Sequence, residues 1–211
     1  MSKVFVNIAL SLDGYMAPEG MSVEHWHEPT YMDWGAKWGA LMAWILKQQY
    51  FRDNLKFGPG GETGPVNDLV RATTERIGAN VMGKRMFDQG ALSWPEEAPF
   101  HTPVFVLTHH HRPSFTLSDT TFHFIDATPH EALEQAKLAA DGRDVRLGGG
   151  VATVRQFLEA DLVDTIHVAV APVELGDGER LWATHEELLD RFHLDVVPSP
   201  SGVTHLIFWR R

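Results

Sequence analysis

Asp144-Val-Arg-Leu-Gly-Gly-Gly-Val-Ala-Thr-Val-Arg-Gln-Phe-Leu158 is the stretch on which the fold turns. Residues 144–147 predict a strand that stops at three glycines. Val154, Phe157 and Leu158 then share one face of a helix predicted over Val151–Ala160. Lacking Cβ atoms, the turn lets the backbone approach a ligand and adopt positive φ. The first N–H groups of the helix have no intrahelical acceptor and carry the positive end of the helix dipole. Both effects favour a phosphate at Gly148-Gly149-Gly150. A tight strand-to-helix turn without a ligand explains the same residues. The spacing is not G-x-G-x-x-G, so the Rossmann fingerprint is absent.

Val81-Met-Gly-Lys-Arg-Met86 repeats the pattern with two cations at the helix start. Lys84 or Arg85 can meet a pyrophosphate or a ribose 2′-phosphate; as an isolated motif they read as solvated surface cations. Two strand–glycine–helix corners in one chain suit a dinucleotide better than either does separately.

Working outward, Val4–Leu10, Ala79–Met82, Pro103–Leu107, Thr121–Ile125 and Thr165–Ala171 predict further strands. Helices are predicted over Asn67–Arg76 and Lys84–Gln89, and after Thr128, whose side chain, with Pro129 and Glu131, has the pattern of a capping box. Trp34, Trp38, Leu41 and Ile45 recur at helical spacing. Phe57–Pro65, rich in glycine, reads as a loop able to act as a lid. Phe192–Val197 and Val203–Trp209 form a hairpin around Pro198-Ser-Pro-Ser-Gly202. The alternation predicts an α/β fold: a three-layer α/β/α sandwich with a mostly parallel sheet and an antiparallel C-terminal edge. Residues 1–211 form one domain, with a Trp- and Gly-rich insertion at about 21–64.

The chain has 211 residues, 44% hydrophobic and 22% charged, with a net charge of −10. That acidity offers no electrostatic footprint for nucleic acid. No apolar run has the length of a bilayer span, and the N-terminal residues read as a strand rather than a secretory signal. A cytoplasmic protein with no membrane partner is expected. Cysteine is absent, which excludes disulfides and thiolate ligands.

Four segments together resemble the dihydrofolate-reductase-like superfamily. They are Ala9-Leu-Ser-Leu-Asp-Gly-Tyr-Met-Ala17, Val81-Met-Gly-Lys-Arg-Met-Phe87, Val104-Phe-Val-Leu-Thr108, and Leu147-Gly-Gly-Gly-Val151 running on to Leu162-Val-Asp164 and Pro172–Gly178. Within it, the chain is most similar to the C-terminal reductase domain of the bifunctional riboflavin-biosynthesis deaminase–reductase and its stand-alone bacterial relatives. The resemblance implies a dihydrofolate-reductase-like fold, NADPH as hydride donor, a homodimer, and a small heteroaromatic substrate whose C=N bond is reduced. The riboflavin enzyme acts on 5-amino-6-(5-phosphoribosylamino)uracil. Ala9 and Met16 would flank the nicotinamide. Gly83, Lys84, Arg85, Gly148, Gly149, Gly150, Val151, Ala152 and Thr153 would hold phosphate. Thr108 and His109 would lie at the adenosine end. Where the family has Asp-Glu after Leu-Val, this chain has Asp164-Thr165. The helix acid of folate reductases has only Asp33 and Glu28 nearby.

Asp13 and Ser11 are the catalytic candidates: Asp13 binds substrate or supplies the proton to nitrogen, or else forms an Asp-Gly turn. Ser11 bonds substrate or caps the turn. Trp34 and Trp38 stack on substrate, or form core or dimer interface. His25-Trp-His27 and His109-His-His111 do not have the spacing of a closed metal site, and none is predicted. Two other functions remain: a dihydrofolate or pteridine reductase, and a non-catalytic binder of small aromatic ligands on the same fold. The riboflavin reading predicts a cationic, phosphate-sized pocket; the folate reading predicts an apolar slot with one buried carboxylate.

Overall fold

Apolar residues facing both ways put Val4–Leu10 (β1) inside the sheet, and the computed structural model places it there. The structure describes residues 2–182 and 186–211. After β1 come Pro29–Leu46 (α1), Gln49–Asn54 (α2), Pro65–Glu75 (α3), Ile77–Gly83 (β2), Lys84–Ala91 (α4), Val104–Leu107 (β3), Phe115–Leu117 (β4) and Thr120–Ile125 (β5). Pro129–Ala139 (α5), Asp144–Gly149 (β6), Val151–Glu159 (α6), Thr165–Val170 (β7), Glu186–Leu189 (α7), Phe192–Pro198 (β8) and Thr204–Arg210 (β9) follow. Among the described residues, nine strands form one sheet in the order β4-β5-β3-β2-β6-β1-β7-β9-β8. Neighbours from β5 to β7 are parallel. The β8–β9 hairpin makes the expected antiparallel edge. The other edge is antiparallel too, because the short β4 pairs back on β5.

Strand periodicity sorts side chains onto two faces. Val4, Val6, Ile8 and Leu10 of β1 join Val154, Phe157 and Leu158 of α6 and Ala132, Leu133 and Ala136 of α5 in one continuous core. The opposite face carries two separate clusters. Ala9, Ala169 and Ala171 pack under Leu41 and Trp44 of α1 and Val70 of α3. Met82, Val104, Val106 and Phe122 pack under Phe87 of α4.

Helix starts follow local chemistry. The Thr128–Glu131 capping box forms, with Pro129 at the first turn. Proline also opens α1 and α3. The predicted stripe on α1 needs correction. The helix buries Leu41 and Trp44, whereas Trp38 is 43% exposed. The residues that meet the sheet lie in the C-terminal half of α1. The Gly-rich loop is pinned to the corner between α1 and α2: Gln49 donates to the Glu62 carbonyl (2.9 Å) and Glu62 to that of Lys47 (2.8 Å). Among the described residues, no helix is long and apolar enough to cross a membrane.

Candidate active site

Parallel pairing sends the C-terminal ends of β1, β2, β3 and β6 to one edge of the sheet. Ser11–Gly14, Gly83–Arg85, Thr108–His109 and Gly148–Thr153 therefore emerge side by side, although up to about 140 residues separate them in the chain. The two glycine corners touch: Met82 pairs with Gly149 across β2 and β6. A Cβ on Gly83 would lie 2.4 Å from Oγ1 of Thr153, so a side chain there would force Thr153 to move. Gly149 has φ +126°, and a Cβ on it would lie 3.1 Å from Sδ of Met86 and 3.2 Å from Cε of Met16. At Gly150 a Cβ would meet nothing within 4 Å. Neither α4 nor α6 has a side-chain cap at its N-terminus. The uncapped N-terminus of α6 thus opens onto space beside Gly150, as a phosphate cradle requires. Val151 and Thr153 at the start of α6 are buried, and Ala152 is exposed.

The cations at the first corner are already paired. Lys84 bonds Asp88 one turn later on α4. Arg85 reaches Glu179 at 2.5 Å. Thr108 caps its own turn, its Oγ1 accepting from His110 N–H at 3.0 Å. His109 is 92% exposed and pairs with Asp126 at 2.7 Å. Ala9 packs in the cluster under α1.

Ser11 is buried and closes the turn after β1: Oγ accepts from Tyr15 N–H at 2.8 Å, and its one proton is shared between the Tyr15 carbonyl, 3.2 Å away, and the Asp13 carboxylate. Asp13 pins that turn to the loop before Asp177, accepting from Leu175 N–H (3.1 Å) and Gly176 N–H (2.8 Å). Burial disfavours its charge, but the Ser11 hydroxyl and these two N–H groups outweigh burial and hold its carboxyl below the usual range.

Two open clefts flank this edge. One, of about 480 Å³, is lined by Glu19, Asp33, Trp34, Lys37 and Asp177. Lys37 is paired with Asp177 at 3.0 Å. This cleft is neither cationic nor an apolar slot with one buried carboxylate, so it matches neither expected substrate pocket. Trp38 does not line it. The other, of about 390 Å³, is lined by Lys84, Phe87, Asp88, Arg112 and Phe115 among others. The Met21–His25 stretch bridges from α1 to α4, with Gln89 Nε2 donating to the Met21 carbonyl at 2.7 Å.

Sequence reasoning missed the polar floor of this face. Asn7 Nδ2 bonds Nδ1 of His167 (2.8 Å), and His167 Nε2 meets Nδ1 of His205 (3.0 Å). Burial, then His205 and Arg76, push His167 down to about 3; burial also lowers His205. Both rings are therefore neutral at pH 7. Since Asn7 Nδ2 can only donate, His167 Nδ1 accepts and its Nε2–H donates onward. Next along the floor are Asn80 and Arg146. The signal in the sequence was slight: polar residues at alternate positions of otherwise apolar strands. Among the described residues, the one group of His and carboxylate ligands close enough to share an ion is Glu97, His101 and Asp119, and Lys56 already pairs with Glu97.

Residues 2–199 match the model of the RibD C-terminal domain. The chain belongs to that family. A putative riboflavin biosynthesis protein from Shewanella sp. PV-4 is similar in fold, with 22% identity over 100% of this chain and 99% of that one and a TM-score of 0.63. The RibD C-terminal domain here is also similar to dihydrofolate reductase from Enterococcus faecalis, solved with NADP(H) and RAB-propyl. Identity is 13%, coverage 99% and 96%, and the TM-score 0.55. These likenesses establish a dihydrofolate-reductase-like fold. No curated protein matches the sequence.

Proposed function

We propose that this chain is a reductase that takes NADPH and reduces a C=N bond of a small heteroaromatic substrate. The observation that carries the reading is the meeting of two uncapped helix starts at Gly83 and Gly150, with open space at Gly150. Family membership supports it. The same residues fit a dinucleotide. Gly149, Gly150 and the N–H groups opening α6 would hold the pyrophosphate, and Met16 and Met86 would wall the neighbouring space. Lys84 and Arg85 would exchange carboxylate partners for phosphate. NADPH, when bound, supplies the hydride.

The chain's own part is to bind, orient and exclude water. Ser11 and Asp13 fix the turn that carries Met16. With both oxygens taken by N–H groups and its pKa lowered, Asp13 is a positioning residue rather than the proton donor. Trp34, which lines the acidic cleft, is the substrate-stacking candidate we favour over Trp38, which does not line it.

Titration of the protein with NADPH and NADH, followed by absorbance-monitored turnover with phosphoribosylaminouracil and dihydrofolate, tests the reading. Micromolar NADPH affinity, weaker NADH and turnover of a C=N substrate are expected. Absence of NADPH binding at micromolar concentrations overturns it.

A further inference from the structure

Arg146 stands on β6 in the middle of the sheet, between Phe5 of β1 and Asn80 of β2. Val145 and Leu147 face the continuous core, so Arg146 and Gly148 face the divided side. Because Gly148 has no side chain, the guanidinium folds up over it: a Cβ there would lie 3.7 Å from Nη1 and 3.8 Å from Cζ of Arg146, and 3.6 Å from Cε of Met86. The guanidinium is thus at the floor of the valley between α1 and α4, beside the glycine corner.

Its surroundings do not neutralise it. Among the described residues its one hydrogen bond runs from Nη1 to Oδ1 of Asn80, at 3.4 Å, and Asn80 is itself held by donating to Thr102 Oγ1 at 2.8 Å. No carboxylate lies within ion-pair distance of it among the described residues, and burial alone pulls its pKa down to about 10. Even so, it remains charged at neutral pH, and the residue is not sealed from solvent. A desolvated cation without a counter-charge is costly for a fold to keep, and a fold stabilised by packing alone would place an apolar residue there. Among the described residues nothing bonds the Nε and Nη2 edge, which offers two parallel N–H groups that match two oxygens of one planar anion. Nearby cations are committed elsewhere: Lys84 to Asp88, Arg85 to Glu179 and Arg76 to Asp144. One free positive charge matches a monoanion better than a phosphate dianion.

We propose that Arg146 is the recognition point for a carboxylate carried by the small molecule that enters the valley, the substrate if the reductase reading holds. The inference rests on that reading only for the word substrate. It sets the ligand apart from a phosphorylated one, and Gly148 is the residue that makes room for the contact.

The test is calorimetric titration of the full chain, with and without saturating NADPH, using sodium benzoate, phenyl phosphate and neutral benzamide in buffer free of other carboxylates and phosphates. Benzoate is expected to bind in the millimolar range, more tightly than phenyl phosphate, with benzamide silent. Arg146→Met should weaken benzoate about tenfold or more while NADPH affinity is unchanged. Equal benzoate affinity in Arg146→Met overturns the proposal, as does tighter binding of phenyl phosphate. Displacement of benzoate by NADPH also overturns it, by giving the guanidinium to the cofactor. Should Arg146→Met fail to fold, the side-chain Nε–H resonance of Arg146 in the wild type serves instead: it should move with benzoate and not with benzamide, and an unmoved resonance contradicts the site. Benzoate bound at Arg146 in a protein that does not bind NADPH upholds the anion site and removes the reductase reading.

Discussion

The two faces of the sheet are built differently. Under α5 and α6 the core is one uninterrupted apolar cluster. Under α1 and α4 it is split in two, and the same face carries Asn7, His167, Asn80 and Arg146. Polar groups on a central strand cost stability unless they are bonded. Their concentration on one face, below the edge where the glycine corners meet, sets it apart from the apolar face that holds the fold, and it is the face to which we assign the ligand.

Truncation of the continuous face should do the most damage. Phe157 is fully buried on α6, and Phe157→Ala should cost about 3–5 kcal/mol, measured by urea unfolding. A loss as small as that of a surface change would mean that this face is not the main core.

The divided face should show itself in acid. His167 is held near 3 when folded, against 6.5 for the ordinary side chain. Between those values the unfolded chain binds a proton that the folded one refuses, so stability falls as pH drops from about 6.5 toward 3. From pH 6.5 to pH 5 the loss should be roughly 2 kcal/mol, with His205 acting in the same direction. His167→Gln should flatten this slope in urea unfolding at the two pH values. An unchanged slope would remove the histidine pair from the account.

A smaller effect is expected at the first corner. Replacing Lys84 and Arg85 together by Ala should weaken NADPH about tenfold, ~1.4 kcal/mol, and NADH less, as read by fluorescence titration. Equal losses would show that neither cation meets the 2′-phosphate.

The same division explains what the sequence disclosed. The continuous face is written in local periodicity, so β1, β6, α5 and α6 were legible. So were the glycine corners, because strand, glycine and helix adjoin in the chain. β4 was not, since three residues, two of them exposed and one half-buried, carry no period of their own. Helical spacing alone could not tell Leu41, which is buried, from Trp38, which is exposed on the same helix. The pairing of Arg85 with Glu179 and the meeting of Asn7, His167 and His205 depend on strand order, which no local pattern encodes. Arg146 appeared only as a charge within a short strand; its lack of a partner emerged once both neighbouring strands were known.

Gly150→Asp asks whether the α6 corner holds a dinucleotide. Gly149 is a poorer probe, because any side chain there meets Met16 and Met86 in a left-handed backbone. Gly150 is the N-cap of α6 with extended backbone and open space at its Cβ position. Aspartate is a favourable N-cap, so unfolding stability should be kept or raised. Its charge would occupy the place of the pyrophosphate. Micromolar NADPH binding by the wild type is expected, with a loss of about a hundredfold, ~2.7 kcal/mol, in a fully folded Gly150→Asp. NADPH bound equally well by both would contradict it.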